Sequence, residues 1–191
     1  MFLLTENQLF SFNLDGQTAF SLPHETHVTC DGNTMTRVYT FQNGLKVTQY
    51  AKKYAEFGAY EWRQTFENIG SEPTGVIDAL WDCDITLPLA HEDDRRNVAN
   101  EPDLAQATKI YAPIGSDWSP DEFFCDIDRG FMNDWQNHIA PGRTRRYSTS
   151  GGRSSEAHAP FFRVSKRDAG YILAVGWTGQ WAAEIRRTND A

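Results

Sequence analysis

Alternation of apolar and polar residues dominates the chain and predicts antiparallel β strands. Two alternating runs flank Asp15-Gly16 within residues 10–22, and two more flank Asn43-Gly44 within residues 35–54. Asp-Gly and Asn-Gly are the pairs that tight hairpin turns prefer, because both turn positions need positive φ. We therefore predict a β hairpin at each of these places.

A third alternating region covers residues 59–89. One strand is predicted where four residues occupy every second position and share a face: Tyr60, Trp62, Gln64 and Phe66. After a turn at residues 70–75, a second set of alternating residues predicts an outer strand with one buried face: Ile77, Ala79, Trp81, Cys83, Ile85 and Leu87. The intervening residues Asp78, Asp82 and Asp84 are expected to face solvent.

The C-terminal stretch 159–187 predicts a three-stranded meander. Residues 162–166 alternate, residues 167–170 supply turn chemistry, and residues 171–177 form a short run rich in β-forming residues. Thr178-Gly179 then separates this run from residues 180–187, which is the spacing of a tight hairpin. Trp177 and Trp181 flank this second predicted bend.

Residues 90–157 lack a sustained period, so we expect a long irregular insertion there, with one short helix opening at Pro102 and Asp103. Long irregular segments in compact domains are usually functional or form assembly surfaces. The predicted fold class is all-β, a two-sheet antiparallel supersandwich. Its 191 residues suit a single domain spanning 1–191.

Composition narrows the classes of partner. The net charge of −8 argues against nucleic-acid phosphates or an anionic membrane, so we expect neither as a partner. The N-terminus lacks the basic region of a secretory signal, and no apolar run has the length of a membrane span. Cys30, Cys83 and Cys125 form no disulfide framework, which favours reduced thiols and a cytoplasmic location.

Two short motifs raise the question of a metal. His24, His27 and Cys30 follow one another at three-residue spacing, but a structural zinc needs four ligands and no second pair follows. Asp126, Asp128 and Gly130 lack the other acidic positions of a calcium loop. We therefore predict a polar loop and a solvated acidic turn, with no metal and no cofactor.

Catalytic motifs are not recognisable. The segment 148–155 is rich in Gly and Ser but has no phosphate-loop pattern, and no G-x-S-x-G elbow presents a serine nucleophile. Asp82, Asp84, Asp126 and Asp128 are possible carboxylates for glycoside hydrolysis, but the sequence cannot place two of them about 5–5.5 Å apart. Four arginines form a local basic patch, which is either solvated or donates to carboxylates of a neighbouring domain or subunit: Arg143, Arg145, Arg146 and Arg153.

The two tryptophans of the predicted hairpin have two possible roles. If Trp177 and Trp181 face the same side, they form an aromatic platform on which sugar rings can stack. Alternatively, one or both pack beneath the irregular segment.

The stretch "GGRSSEAHAPFF", followed by "GWTGQW", resembles the N-terminal β domain of family 36 glycoside hydrolases, the α-galactosidase type. Matching residues are Gly152, Arg153, Ser154, Ser155, Pro160 and Phe161, with Thr178-Gly179-Gln180 in place of the family's S-G-N turn. Asn68 and Gly70 also lie at a turn similar to that of the family. The similarity is specific over residues 151–181 and looser from about residue 35 to the end.

This resemblance implies a supersandwich in front of a catalytic (β/α)8 barrel, with both catalytic aspartates on the barrel. No part of this chain resembles the barrel. We expect a non-catalytic domain that packs on such a barrel, in the same polypeptide or a partner chain, helps to shape a galactoside pocket, and supports a homo-oligomer. The predicted substrate-binding residues are Trp177, Trp181, Arg153, Ser154 and Ser155.

Three other classes stay open. A stand-alone carbohydrate-binding module would bind sugar as the isolated chain, whereas a structural assembly domain would bind none and form a stable oligomer. A mutarotase-like enzyme would need converging His and Glu side chains, and the five histidines show no such pattern: His24, His27, His91, His138 and His158.

Overall fold

The computed structural model describes residues 8–89, 108–113, 138–166 and 169–188. Regular structure within these ranges is β strand, apart from one 3-10 turn at Ala19–Ser21, and every strand pairing is antiparallel. This confirms the predicted all-β class. The chain divides between Leu87 and Pro88 into two compact units, here called the N-terminal and C-terminal units.

The N-terminal unit contains two antiparallel sheets. A three-stranded sheet has the order β2-β1-β7, and a four-stranded sheet has the order β3-β4-β5-β6. The strands are β1 (Ser11–Leu14), β2 (Gln17–Thr18), β3 (His24–Asp31), β4 (Thr34–Phe41), β5 (Leu45–Tyr54), β6 (Ala59–Asn68) and β7 (Ile77–Trp81).

Both hairpins of this unit that the sequence predicts are confirmed. Asp15 and Gly16 have φ values of 53° and 73° and join β1 to β2 as a two-residue turn. β4 is joined to β5 by residues 42–44, of which Gly44 has φ 83° and donates its N–H to the carbonyl of Phe41. These are backbone conformations that Gly, Asn and Asp tolerate best.

The two sheets of the N-terminal unit pack through aromatic side chains, as in a β sandwich. Phe10 and Phe12 from the β1 region meet Tyr39 and Phe41 of β4 in one buried cluster. A second cluster joins Leu9 to Met35, Ala51 and the half-buried side chains of β6. The predicted shared face of β6 is confirmed, since Tyr60, Trp62, Gln64 and Phe66 are half-buried while the residues between them are exposed.

The prediction of a continuous strand through residues 77–87 is wrong. β7 ends at Trp81, and Ala79 has a φ of 47° where the register with β1 shifts. Such a bulge breaks the two-residue side-chain period. Leu80 and Trp81 are consequently both about two-fifths exposed (42% and 41%), and Cys83 is exposed.

In its described residues the C-terminal unit contains two further sheets, with the orders β11-β10-β8 and β12-β9. Its strands are β8 (Lys109–Tyr111), β9 (Thr144–Ser148), β10 (Phe161–Lys166), β11 (Ala169–Ala174) and β12 (Ala182–Arg186). β8 and β9 lie inside the stretch that shows no period in the sequence. Buried Ile110, Ile139 and Val164 form the core, against which Leu173 and Ile185 pack.

Only the first half of the predicted C-terminal meander forms. β10 pairs with β11 from Phe161↔Ala174 to Lys166↔Ala169, as expected. β12 pairs with β9 instead of β11. Thr178-Gly179 is therefore a bend between two sheets, and the hairpin predicted there is wrong.

The single domain spanning 1–191 stays a prediction, and the helix predicted at Pro102 and Asp103 lies outside the described residues. Nothing helical in the described part of the chain has the length and apolarity that crossing a bilayer requires.

Candidate functional site

The loop of residues 149–156, here called the serine loop, is hydrogen-bonded to the segment before β12. The backbone N–H of Thr149 donates to the carbonyl of Trp181 (3.0 Å), and the N–H of Trp181 donates to Thr149 Oγ1 (3.3 Å). The side-chain amide of Gln180 donates to the carbonyl of Ser150. These bonds continue the pairing of β12 with β9 and direct the chain away from β11.

Trp181 is the central side chain of this arrangement. It is 8% exposed, its indole Nε1–H donates to the carbonyl of Ser154 (2.6 Å), and its ring meets Phe162 edge-to-face at 5.5 Å. A buried indole needs a partner for its N–H, and the serine loop supplies one. Trp181 therefore packs beneath the serine loop, which is the second of the two roles considered for the tryptophans.

The serine loop is closed by an ion pair and by two glycines. Gly152 has φ 81°, and a Cβ on Gly151 would overlap the carboxylate of Glu156. Glu156 Oε1 accepts from Arg153 Nη2 at 3.3 Å, and its other oxygen is buried without a hydrogen-bond partner among the described residues. The Glu156 side chain is thus folded back over the serine loop, and Arg153 lies on the exposed side of this carboxylate.

Trp177 has the opposite environment to Trp181. It is 64% exposed, and its indole nitrogen lies close to Gly179, where an added Cβ would sit 2.8 Å from Nε1. The indole is therefore packed along the bend while much of its surface stays open. Trp177 and Trp181 do not form one continuous platform, because only Trp177 is open to a ligand.

The structure brings together some of the predicted substrate-binding residues. Ser154 and Trp181 are directly bonded, and Arg153 and Ser155 belong to the same loop, with both serines half-buried. Trp177 is set apart by its exposure. Sugar binding by these five residues stays a prediction.

An exposed apolar face lies on the β10–β11 hairpin of the same unit. Phe161 is 52% exposed and Ile172 is 79% exposed, and the pairing of Phe161 with Ala174 and of Arg163 with Ile172 puts these side chains on one face. The Arg163 guanidinium lies over the Tyr111 ring, 5.3 Å from its centroid. Exposed apolar residues grouped in this way are typical of interaction surfaces.

The predicted arginine patch is divided by the geometry of β9. Arg146 Nε donates to Glu184 Oε2 at 2.8 Å, and Arg153 pairs with Glu156, so both find carboxylates within their own unit. Arg145 points to the opposite face of β9 from Arg146 and donates to the carbonyl of His138 (3.2 Å). The four arginines therefore do not act as one patch.

The predicted polar loop around the His24 motif is wrong, because the motif lies on β3. Successive side chains alternate across a strand, so His24 and Cys30 face one side while His27 faces the other. In the part of the chain that the structure describes, no three His, Cys, Asp or Glu side chains cluster as metal ligands. The Asp126 motif lies outside the described residues.

The carboxylates considered for glycoside hydrolysis are only partly described, since Asp126 and Asp128 lie outside. Burial raises the pKa of Asp82. Asp84 accepts a 2.6 Å hydrogen bond from Ser11 Oγ, so this carboxylate has a structural partner in the N-terminal unit.

Two residues that organise the serine loop have no signal in the sequence pattern: Thr149 and Glu156. Gln180 does have one, since a polar side chain next to the start of a strand needs a partner. Comparison of the chain with family models, with characterised proteins and with solved structures finds no match.

Proposed function

We propose that this chain is the non-catalytic N-terminal β domain of an α-galactosidase-like glycoside hydrolase, working in the cytoplasm. It packs on a catalytic (β/α)8 barrel, in the same polypeptide or a partner chain, and forms one wall of a galactoside pocket. The domain also supports a homo-oligomer.

One observation carries this proposal. The two segments that resemble the family, residues 151–161 and 177–181, are joined in space by the bond from the Trp181 indole to Ser154, 27 residues apart in sequence. Phe162, next to the resembling Pro160 and Phe161, packs edge-to-face on the same indole. Trp181 is not itself a matching residue, but its bond to Ser154 joins the matching loop to the segment that follows the Thr178-Gly179-Gln180 turn, and this contact supports the proposal.

The surface chemistry around this motif fits a wall of a sugar pocket. Trp177 offers an exposed indole face, which suits the apolar C–H face of a sugar ring. Arg153 offers a guanidinium at 63% side-chain exposure, oriented by Glu156, as a donor to sugar hydroxyls. In this proposal Trp181, Ser154 and Ser155 position the wall rather than touch the sugar.

The apolar face at Phe161 and Ile172 is the proposed contact with the barrel. Its exposed apolar side chains, flanked by Arg163, have the aromatic and arginine content that interface centres favour. Packing on a barrel would remove these side chains from water.

Sedimentation of the 191-residue chain with a separately produced α-galactosidase-type barrel tests this proposal. We expect a complex with the unmodified chain, and at least about tenfold weaker association for Phe161→Asp or Ile172→Asp, because a charge would be buried in the contact. Phe57→Asp is the matched control, since Phe57 is 75% exposed in the N-terminal unit. Absence of a complex, or equal weakening by the control, would contradict the proposed packing.

A second candidate is a stand-alone carbohydrate-binding module, and the exposure of Trp177 specifically favours it. Titration of the isolated chain with galactose, melibiose and raffinose, followed by tryptophan fluorescence, separates the two functions. Saturable quenching with a Kd of about 1 µM to 1 mM, lost in Trp177→Ala and kept in Trp81→Phe, would identify the module. A flat titration combined with barrel binding would identify the domain.

A further inference from the structure

Half of the backbone groups of β11 point away from β10, its neighbour in the sheet. Among the described strands the sheet order is β11-β10-β8, so β11 is an edge strand. Val175 N–H donates to the carbonyl of Pro160 (2.9 Å), just beyond the last pair of the two strands. Because bonded and non-bonded pairs alternate in an antiparallel ladder, every second residue from Val175 back to Ala169 bonds with β10. Three residues between them direct their N–H and C=O groups to the outer edge of the described sheet: Gly170, Ile172 and Ala174.

The same three residues of β11 are exposed to solvent. Gly170 and Ala174 are exposed, and Ile172 is 79% exposed. The residues between them face inward, since Tyr171 and Leu173 are half-buried and Leu173 packs on the core of the unit. The outward backbone groups of β11 therefore belong to residues whose side chains also lie at the surface, where a second chain can approach.

β11 differs in charge from the edge strands of the four-stranded sheet. These edge strands, β3 and β6, carry acidic side chains at Glu25, Asp31, Glu61 and Glu67. Charged side chains on an edge strand oppose pairing with another chain. The sequence 169–183, which includes all of β11, contains no charged residue. In a chain whose net charge is −8, β11 is therefore a strand that brings no like charge of its own against a second copy.

The outward groups of β11 are complementary to themselves about Ile172. When two copies of the strand run antiparallel with Ile172 opposite Ile172, Gly170 of each copy lies opposite Ala174 of the other. All three outward residues of each strand then belong to bonded pairs, and each such pair exchanges two N–H···O=C bonds. A shift of the register by two residues would leave one of the three on each strand without a bonded partner.

We propose that β11 pairs antiparallel with β11 of a second copy of this chain, so that two three-stranded sheets become one continuous sheet. The new bonds lie in the plane of the sheet, and the apolar face at Phe161 and Ile172 continues across both copies. On this face Ile172 meets its own copy, apolar against apolar. The inference rests on the proposed function only in that it gives the proposed homo-oligomer an interface, and it involves neither the barrel nor a sugar.

Analytical ultracentrifugation of the 191-residue chain alone tests this pairing. We expect a dimer with a Kd of about 100 µM or tighter, and at least about tenfold weaker association for Ile172→Lys, because like charges would lie directly opposite each other. Ile172→Val keeps an apolar β-branched side chain and should stay within about twofold. Val28→Lys is the matched control. It places the same charge on the edge strand β3, where Val28 is 45% exposed, and should also stay within about twofold.

Cysteine cross-linking tests the register of the pairing. Residues opposite each other in a bonded pair have their Cα atoms about 5.5 Å apart, which a disulfide can span. Under oxidising conditions Ile172→Cys should therefore form a covalent dimer above the background given by the three cysteines of the unmodified chain. Ala174→Cys should not, because the two copies of this residue are separated by about 13 Å along the strands.

The outcomes separate this pairing from the rest of the proposed function. A monomeric chain would overturn the pairing and the homo-oligomer, while binding to the barrel has its own test. A dimer that Ile172→Lys does not weaken, or that Val28→Lys weakens equally, would overturn the pairing alone, since the copies would then meet through another surface. Equal cross-linking of Ala174→Cys and Ile172→Cys would overturn the proposed register and with it the pairing.

Discussion

The two units of this protein obtain their sheets in different ways. In the N-terminal unit, β3 to β6 are consecutive strands joined by turns of two to four residues, and β5 and β6 pair over ten residues without a shift. In the C-terminal unit, β9 pairs with β12 across a long separation, and β8 pairs with β10. The four-stranded sheet of the first unit depends on local turns, whereas the β9–β12 sheet of the second depends on a few side chains that join distant segments.

This difference determines where each unit is vulnerable. A local hairpin is lost when its turn cannot form, because its register is fixed by turn geometry. A sheet built from distant strands is lost when its anchoring side chain is removed, because nothing local restores the pairing. Four substitutions test this contrast, from the largest expected effect to the smallest.

Trp181→Ala should have the largest effect. It removes a buried aromatic side chain together with the bond to Ser154, and we expect a loss of about 4 kcal/mol in the free energy of unfolding of the C-terminal unit. A denaturant titration that is monitored by one spectroscopic probe in each unit measures this loss. Trp177→Ala, at an exposed position, should cost no more than about 0.5 kcal/mol. Equal costs for the two variants would contradict the anchoring role.

Gly44→Ala should be the most damaging of the turn substitutions in the N-terminal unit. Gly44 has a φ of 83°, and an added Cβ would lie 2.9 Å from the Cα of Gly70. We expect a loss of about 3 kcal/mol, from left-handed strain and backbone overlap together. Gly32→Ala is the control, because Gly32 also has positive φ (56°) but open space around it. Its cost should be about 1 kcal/mol, and a cost equal to that of Gly44→Ala would rule out the close approach.

Gln49→Leu should stabilise the N-terminal unit or leave it unchanged. Gln49 is fully buried on β5, and both its amide atoms lack hydrogen-bond partners among the residues that the structure describes. Since an unsatisfied buried polar group costs about 1–3 kcal/mol, its replacement should raise the free energy of unfolding by about 1 kcal/mol or less once packing changes are included. Thr48→Val on the same strand is the comparison. A loss above about 1 kcal/mol for Gln49→Leu alone would indicate that the amide is bonded.

His138→Gln should have the smallest effect, visible only as a change in pH dependence. Burial and the nearby arginine charges lower the pKa of His138 in the folded protein, so the unfolded chain binds the proton more readily. Folding stability is therefore full above the ordinary pKa of 6.5 and falls as the pH decreases through it. Between pH 7.5 and 5.5, Tm should fall less in His138→Gln than in the unmodified protein. A fall in the variant that equals or exceeds that of the unmodified protein would contradict the predicted pH dependence.

The features that the sequence predicts correctly are local ones. Asp15-Gly16 and Asn43-Gly44 specify their turns through their own backbone preferences, and the face shared by Tyr60 to Phe66 follows from a two-residue period. These need no knowledge of the rest of the chain.

The features that the sequence does not predict correctly depend on distant partners. Thr178-Gly179 has the spacing of a hairpin turn, but the bonds from Gln180 and Trp181 to the serine loop take the chain to β9 instead. The opposition of Arg143 and Arg187 across the β9–β12 sheet shows no pattern in the sequence, because it exists only once the register of the two strands is known. The structure places Trp181 beside Ser154, and their grouping as substrate-binding residues stays a prediction.

The most direct test of the proposed function is the hydrolysis of an α-galactoside by the chain reconstituted with an α-galactosidase-type barrel. If Trp177 walls the sugar pocket, Trp177→Ala should raise KM about tenfold and leave kcat nearly unchanged, because a stacked indole contributes to binding the substrate and its transition state alike. Trp81→Ala, an exposed tryptophan of the N-terminal unit, should leave both constants unchanged. An unchanged KM in Trp177→Ala, with the complex intact, would contradict the proposed placement of this domain beside the sugar.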